Sequence, residues 1–262
     1  MALNLHSYQQ DNQLEKFKKI AIKIVKEKVD VICCSEALQR INTAYVDESV
    51  REDNALKIIC DFINEQSNQH YHYQWAFSHF GCNIYEEGIG IITHLPVHSV
   101  ECRYVSQTED VFSFKSRKVM KVVIEDSGHL VNLFSVHLGW GDDEYEPFDV
   151  QIENLDAWIK ETPDMTSFIA GDFNNDIDTR YYDMIVRKNY IDQYIQAKPE
   201  GLHDYTFINP SGLEFKNSRK LRLDYLFTSN NEYRAVEAKR FFLDEDSVSD
   251  HAAICIELKP NR

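Results

Sequence analysis

Apolar residues recur along the chain in two rhythms. At spacings of three and four, Leu14, Phe17, Ala21, Ile24 and Val25 predict a helix over residues 9–28. Leu56, Ile59, Cys60 and Ile63 do the same over 53–65, and Phe148, Ile152, Leu155 and Ile159 over 146–161. A further helix is expected over 179–188. Short apolar or alternating runs read as strands at 2–6, 29–34, 71–80, 88–93, 97–106, 118–125, 130–136, 166–170, 221–228, 235–242 and 252–258. Asp126-Ser-Gly128 turns the pair 118–125 and 130–136 into a hairpin. Residues 192–217, with Pro199, Gly201, Pro210 and Gly212, are expected to be loop. No repeat, linker or low-complexity stretch divides the chain, so one domain over 1–262 is expected. Helices alternating with hairpins suit an α/β fold of two mixed sheets packed face to face, with helices outside.

The apolar runs share a second feature: several finish on polar side chains. Phe168-Ile-Ala-Gly-Asp-Phe-Asn-Asn-Asp176 places Asp172, Asn174 and Asp176 at a strand end. Val31-Ile-Cys-Cys-Ser-Glu36, Leu133-Phe-Ser-Val-His137 and Arg222-Leu-Asp-Tyr-Leu-Phe227 follow the same plan, and Ser249-Asp-His251 precedes the last strand. Strand ends are where open α/β proteins hold metals and phosphates. Each position has a plainer alternative. Glu36 is a metal ligand or a solvated strand end, with the strand expected to stop there. Asp172 and Asn174 either offer hard oxygens, which favour Mg²⁺ or Mn²⁺ over Zn²⁺, or they close an Asx turn at Gly171. His137 is a phosphate-side donor or a satisfied edge residue. Asp224, inside an apolar run, needs a partner, either a histidine or a base such as Arg222.

Charge narrows the chemistry. With 43 acidic against 28 basic residues, the net charge is −15. Such a field repels a polyanion, which argues against nucleic acid as the main substrate. Cys33, Cys34, Cys60, Cys82, Cys102 and Cys255 show no zinc spacing and read as small buried hydrophobes in a reducing compartment. The first residues lack a signal-like apolar stretch, and no run of 18 apolar residues occurs. A soluble cytoplasmic protein with no membrane contact is therefore expected. No cysteine or serine lies beside a histidine in a way that suggests covalent catalysis.

Taken in order, Glu36, His137, Gly171-Asp-Phe-Asn174, Asp224 and Ser249-Asp-His251 resemble the endonuclease/exonuclease/phosphatase superfamily across nearly the whole chain. The resemblance implies a deoxyribonuclease-like four-layer α/β-sandwich with a divalent-metal site at one rim. Carried over, it makes Glu36 the principal Mg²⁺ ligand, Asp250 a second metal-side carboxylate and Asn4 the first-strand amide near the metal. Asp172 and Asn174 would flank the phosphorus, Asp172 orienting or deprotonating water. His251, paired with Asp224, and His137, supported by Glu87 of Tyr85-Glu-Glu-Gly-Ile-Gly90, would face the phosphate. Ser35-Glu36 stands where the superfamily usually has Gln-Glu.

Further segments resemble the sugar-phosphate phosphatases typified by maltose 6'-phosphate phosphatase. They are Leu5-His-Ser-Tyr-Gln-Gln-Asp-Asn-Gln13, Arg51-Glu-Asp-Asn54, Trp75-Ala-Phe-Ser-His-Phe-Gly81 and Val136-His-Leu-Gly-Trp140 running into Glu146-Pro-Phe148. Gly141 and Asp142 depart from that subgroup. A small-molecule sugar phosphate is thus the expected substrate, with Trp140, Trp75, Tyr145 and Asp142 offering ring faces and hydroxyl partners. Trp75 and Trp140 are equally readable as packing residues. Arg51, Arg117 and Lys118 are candidates for the phosphate. The rivals are a nuclease or DNA-repair phosphodiesterase on the same scaffold, using a basic track around Lys115, Arg117, Lys118 and Lys121, and a catalytically silent binding protein. A sphingomyelinase-like enzyme would want an exposed aromatic hairpin or a secretion signal.

Overall fold

The computed structural model describes residues 1–208 and 220–261. The chain begins with β1 (Ala2–Asn4), α1 (Gln13–Glu27), β2 (Val31–Arg40) and α2 (Ala55–Asn64). Five strands follow: β3 (His72–Gly81), β4 (Tyr85–Thr93), β5 (Val97–Tyr104), β6 (Lys118–Asp126) and β7 (His129–His137). Then come α3 (Phe148–Ile159), β8 (Ser167–Asp172), α4 (Arg180–Arg187), β9 (Ile191–Asp192) and α5 (Gln193–Ala197). The set closes with β10 (Phe207–Ile208), β11 (Lys220–Leu221), β12 (Asp224–Thr228), β13 (Tyr233–Phe241) and β14 (Ala253–Pro260). One sheet runs β13-β14-β1-β2-β4-β3 and the other β5-β6-β7-β8-β12-β9, while β10 and β11 pair apart. Both large sheets are mixed, with β1–β2 and β7–β8 parallel among antiparallel neighbours.

Side-chain alternation explains the layers. In β2, Ile32 and Cys34 join Leu3 and Ile92 against α1 and α2, meeting Phe17, Ile20, Ile24, Leu56 and Ile59. Cys33, between them, faces the second sheet with Ile89, Ile91, Val122, Leu133, Ala170 and Ile254. A strand covered on both faces reads as a continuous apolar run, as 31–34 does. On the far side, Phe148, Ile152, Leu155 and Trp158 of α3 and Ile185 of α4 pack on Phe134, Ile169 and Phe227. Helix, sheet, sheet, helix is the four-layer sandwich that was expected. Each large apolar side chain fully buried in it contributes roughly 1.5–3 kcal/mol.

Local signals set the ends. The Asn54 side chain caps α2, accepting from the N–H groups of Leu56 and Lys57, and Thr179 caps α4. Ser127 and Gly128 have φ of 51° and 84°, the two positive values that a twist-matched two-residue hairpin turn requires. Three expectations change. First, β2 does not stop at Glu36 but continues to Arg40, after a bulge between Cys34 and Ala37. Second, residues 193–197 of the expected loop are helical, because Asp192 accepts from the N–H groups of Tyr194 and Ile195. Pro210 and Gly212 lie outside the described residues. Third, all six cysteines are free, but Cys82 and Cys102 are exposed rather than buried. No helix among the described residues is long and apolar enough to cross a membrane.

Candidate active site

Register builds the first half of the site. In the second sheet, His137 of β7 pairs with Asp172 of β8, and Asp172 with Asp224 of β12. Residues directly opposite one another project to the same face, so the three form one row. The first sheet answers with Asn4, Glu36 and Glu87. Asn4 Nδ2 donates to Glu36 Oε1 at 2.8 Å and to Asp172 Oδ2 at 3.0 Å, which ties the sheets together. Its Oδ1 accepts from the N–H of His6, so the amide has one orientation. Glu36 itself sits in the β2 bulge at φ 47°. Bulges re-aim side chains beside active sites, and this one turns Glu36 out of the alternation.

His6, which belongs to the segment 5–13 but had been given no role of its own, lies between two carboxylates. Its Nδ1 is 3.1 Å from Glu36 Oε2 and 3.7 Å from Asp250 Oδ1. Gln9 Nε2 also donates to Glu36 Oε2. Burial acts to lower the His6 pKa, yet Glu36 and Asp250 outweigh it and the net shift is upward. Burial likewise acts to raise that of Glu36, but His6, His137 and Asn4 hold it well below the usual carboxylate range. Two carboxylates that flank the same ring nitrogen lie close enough to share a cation, and their hard oxygens suit Mg²⁺ or Mn²⁺. The residues expected to hold a divalent metal therefore fit one.

Asp224 takes the histidine and not the arginine. His251 Nδ1 donates to Asp224 Oδ2 at 2.8 Å, and its Nε2 lies 3.7 Å from Asp172 Oδ2. Arg222 instead pairs with Asp192 at 2.7 Å, between the rings of Tyr194 and Tyr225. Asp172, Asp224 and His251 form a buried group whose ligand atoms lie within 4.8 Å of one another. Burial opposes charging His251, but the carboxylates of Asp224 and Asp172 raise its pKa to about 10. Burial raises the pKa of Asp172, the Asp224 charge adding to it while His251 and His137 oppose. The Asx turn is present as well. Asn174, at φ 52°, donates its N–H to Asp172 Oδ1 at 2.8 Å and its Nδ2 to the Leu138 carbonyl. One carboxylate oxygen closes the turn while the other faces Asn4 and the histidines.

On the other flank His137 Nδ1 is 3.6 Å from Glu87 Oε1, and its Nε2 lies 3.9 Å from Asp172 Oδ2. Arg117 is buried beside this group. Desolvation lowers its pKa, and the charges of Glu87, Asp172 and Glu36 oppose that. Two loops stand over this flank and are locked together. Glu146 accepts from the N–H groups of Gln107 and Thr108, and Lys115 Nζ meets Asp143 at 2.7 Å. Trp140 is 50 % and Tyr145 80 % exposed on the second loop, and Lys115 lies over the Tyr145 ring. Asp142 accepts from Tyr181, whose ring would meet a Cβ at Gly141 at 1.9 Å, so the unusual glycine is dictated by packing. A cavity of about 280 Å³ opens against Asp250 and His251, bordered by Gln10 of the segment 5–13 and by Tyr205 and Asp244, which no sequence pattern had singled out.

Two expected contact residues are elsewhere. Trp75 is 9 % exposed, its indole over Gly88 and its Nε1 donating to the Ala37 carbonyl, so it is a packing residue. Arg51 is buried and forked onto Glu86 at 2.8 and 2.9 Å, which leaves it no role at a phosphate.

Comparison with known proteins bears on the family and the fold. The sequence model described as Endonuclease/Exonuclease/phosphatase family matches residues 4–251. No curated protein sequence matches the chain. Among solved structures, an endonuclease/exonuclease/phosphatase family protein from Leptotrichia buccalis C-1013-b superposes with a TM-score of 0.87 at 24 % identity, over 98 % of each chain. A mannosyl-6-phosphatase from Bacteroides thetaiotaomicron VPI-5482 gives 0.67 at 16 % identity, over 98 % of this chain and 97 % of that one. D. rerio TDP2 in complex with a single-strand DNA product gives 0.71 at 14 % identity, over 98 % and 96 %. At these identities the structural likeness concerns the fold.

Proposed function

The chain belongs to the endonuclease/exonuclease/phosphatase family, and within it we propose a divalent-metal-dependent phosphomonoesterase acting on a sugar phosphate. Maltose 6'-phosphate or a related disaccharide phosphate is the substrate class we favour, and a cytoplasmic location accords with it. One observation carries the choice over a nuclease. The four basic residues of segment 107–127 form no exposed track: Lys115 is paired with Asp143, Lys118 Nζ donates to the Phe77 carbonyl, and Arg117 and Lys121 are buried. A duplex needs several accessible cations along its backbone, whereas one phosphate dianion needs a few donors at one point. The mannosyl-6-phosphatase among the structural neighbours supports the same side, and the DNA-bound neighbour keeps the phosphodiesterase as the second reading.

In this mechanism Glu36 and Asp250 would hold the metal, with Asn4 beside it steadying the Glu36 carboxylate through Nδ2. The ion supplies Lewis-acid stabilisation of charge on the phosphoryl and leaving oxygens when bound. Asp172 orients water and accepts its proton, a task suited to its raised pKa. His251, kept protonated by Asp224, donates to the phosphoryl oxygens as charge spreads over them, and His137 borders the same oxygens with Nε2. Asn174 fixes the Asp172 carboxylate through its backbone N–H. The water oxygen bonds to phosphorus as its proton passes to Asp172, the bond from phosphorus to the sugar oxygen breaks, and that oxygen takes up a proton from solvent as Asp172 gives up the one it accepted.

The test compares kcat/KM for maltose 6'-phosphate, glucose 6-phosphate and an abasic duplex, in Mg²⁺ and in Mn²⁺. A preference for the disaccharide is expected. Equal values for the two sugars demote it to a general phosphatase, and a large preference for the duplex overturns the reading. Trp140, half exposed on the loop leaving His137, is expected to meet the distal ring. Trp140→Ala should then raise KM for maltose 6'-phosphate roughly three- to tenfold, the worth of one aromatic contact, and leave that for phenyl phosphate nearly constant. Equal changes for both esters would place Trp140 outside the sugar site.

A further inference from the structure

His79 belongs to the segment 75–81 and has no role in the mechanism above. It is 3 % exposed on β3, where its partner in register is Glu87 of β4. A bulge between Phe77 and His79 precedes it. Its Nε2 lies 3.9 Å from Glu87 Oε1, the same oxygen that His137 Nδ1 approaches at 3.6 Å. One carboxylate oxygen is therefore shared by two imidazoles, one inside the site and one behind it. We infer that His79 is a positioning residue: it anchors Glu87, which in turn fixes the ring orientation and tautomer of His137 for the reacting phosphate.

The hydrogen assignments follow from the surroundings. At 3.9 and 3.6 Å the Glu87 carboxylate acts on the two rings by charge, which favours protons on the nitrogens facing it, Nε2 of His79 and Nδ1 of His137. His79 Nδ1 is buried with no hydrogen-bond partner among the described residues. A bare lone pair is the form least costly to leave there, which again puts the His79 proton on Nε2. Burial lowers the His79 pKa and keeps the ring neutral near neutral pH; Glu87 opposes that shift, and Arg117 adds to it. A neutral donor behind Glu87 holds the carboxylate without cancelling its charge. His137 Nε2 is left facing Glu36 and Asp172, at 4.0 and 3.9 Å. A carboxylate that orients an imidazole commonly has partners of its own, and their loss costs about ten- to a hundredfold in activity.

This inference rests on the phosphatase reading for its kinetic arm only. In His79→Gln the amide nitrogen reaches the place of Nε2, and in His79→Asn the amide ends near Nδ1. With phenyl phosphate and Mg²⁺, His79→Asn is expected to lower kcat about tenfold or more with little change in KM, and His79→Gln to restore most of it. In a Glu87→Gln background the two His79 variants should differ less than twofold, because the group they act through has gone. A full additional loss in that background overturns the inference, as does Gln performing no better than Asn. Imidazole ¹⁵N shifts of His137 in the metal-free protein give a readout independent of turnover. The Nδ1–H tautomer should dominate in the wild type and lose its dominance in His79→Asn, and an unchanged tautomer overturns the inference even if no ester is hydrolysed. Absence of phosphomonoesterase activity in the wild type, with the tautomer responding as stated, removes the phosphatase reading alone.

Discussion

Glu36→Gln is expected to lower kcat/KM for any phosphomonoester by at least ~100-fold and to weaken Mg²⁺ binding in parallel, since metal-directed charge stabilisation works on that scale. The substitution keeps the volume and removes one charge. It also creates a mismatch that the geometry makes specific. Glu36 Oε1 accepts from Asn4, and Oε2 from His6 and Gln9, so both oxygens face donors. An amide has only one acceptor atom, and whichever way it turns, its NH₂ meets a donor. Isothermal titration with Mg²⁺, beside initial rates, provides the measurement. Mg²⁺ affinity equal to that of the wild type would sink the assignment of Glu36 as the principal ligand.

Most of the fold was legible because the sandwich is covered on both faces of each sheet. Mainly apolar runs such as 31–34 and 166–170 read as buried strands, and the helix face of 148–159 read correctly from its spacing. On 13–27, Phe17, Ala21 and Ile24 are buried as expected but Leu14 is exposed. What failed has a common cause. Glu36 looked like a strand end because a polar residue follows four apolar ones, and a bulge that re-aims one side chain leaves no periodicity to detect. Helix α5 has only five residues and was invisible to a 3.6-residue period. Cys82 and Cys102 were read by residue type alone, and type does not decide exposure.

The candidate site was legible where its residues end strands and illegible where they act from loops or from behind. His137, Asp172 and Asp224 come together because their strands are in register, which the chain order and the resemblance together implied. His6 follows Asn4 by two residues, but only the turn after β1, with His6 at φ 43°, brings its ring between Glu36 and Asp250. Its histidine type beside a metal-side asparagine was the available signal. Trp75 and Arg51 misled for the opposite reason. An aromatic ring and a guanidinium suit sugar and phosphate chemistry, but their polar atoms are consumed by Ala37 and Glu86, and only coordinates reveal that. His79 shows how far a residue's type underdetermines its task, since its meaning depends on sharing one oxygen with His137.

The second large effect is expected at Asp224, which touches no phosphate. Asp224→Asn should depress kcat roughly 100- to 10,000-fold and change KM little, the scale on which an aspartate that sets a catalytic histidine's tautomer acts. The His251 ring is buried, and burial alone would keep it neutral. It carries its proton because Asp224 Oδ2 accepts from Nδ1 at 2.8 Å, with Asp172 adding its charge from the other side. An asparagine keeps the shape but supplies no charge, and its NH₂ can face Nδ1 and push the proton onto Nε2. The positive charge that answers developing phosphoryl charge is then lost, leaving only a neutral Nε2–H donor, while the substrate's other contacts persist. Asp224 Oδ1 is buried without a hydrogen-bond partner among the described residues, so with the NH₂ toward Nδ1 the amide oxygen takes a place that is already unmet, no new orphan is created, and folding need not suffer. Steady-state kinetics with a melting curve for each variant separates the two effects. A fall in kcat of less than about fivefold in a folded Asp224→Asn protein would mean that His251 does not depend on this carboxylate. The pair would then be structural, and the phosphoryl charge would have to be met by other positive groups of the site, Arg117 among them.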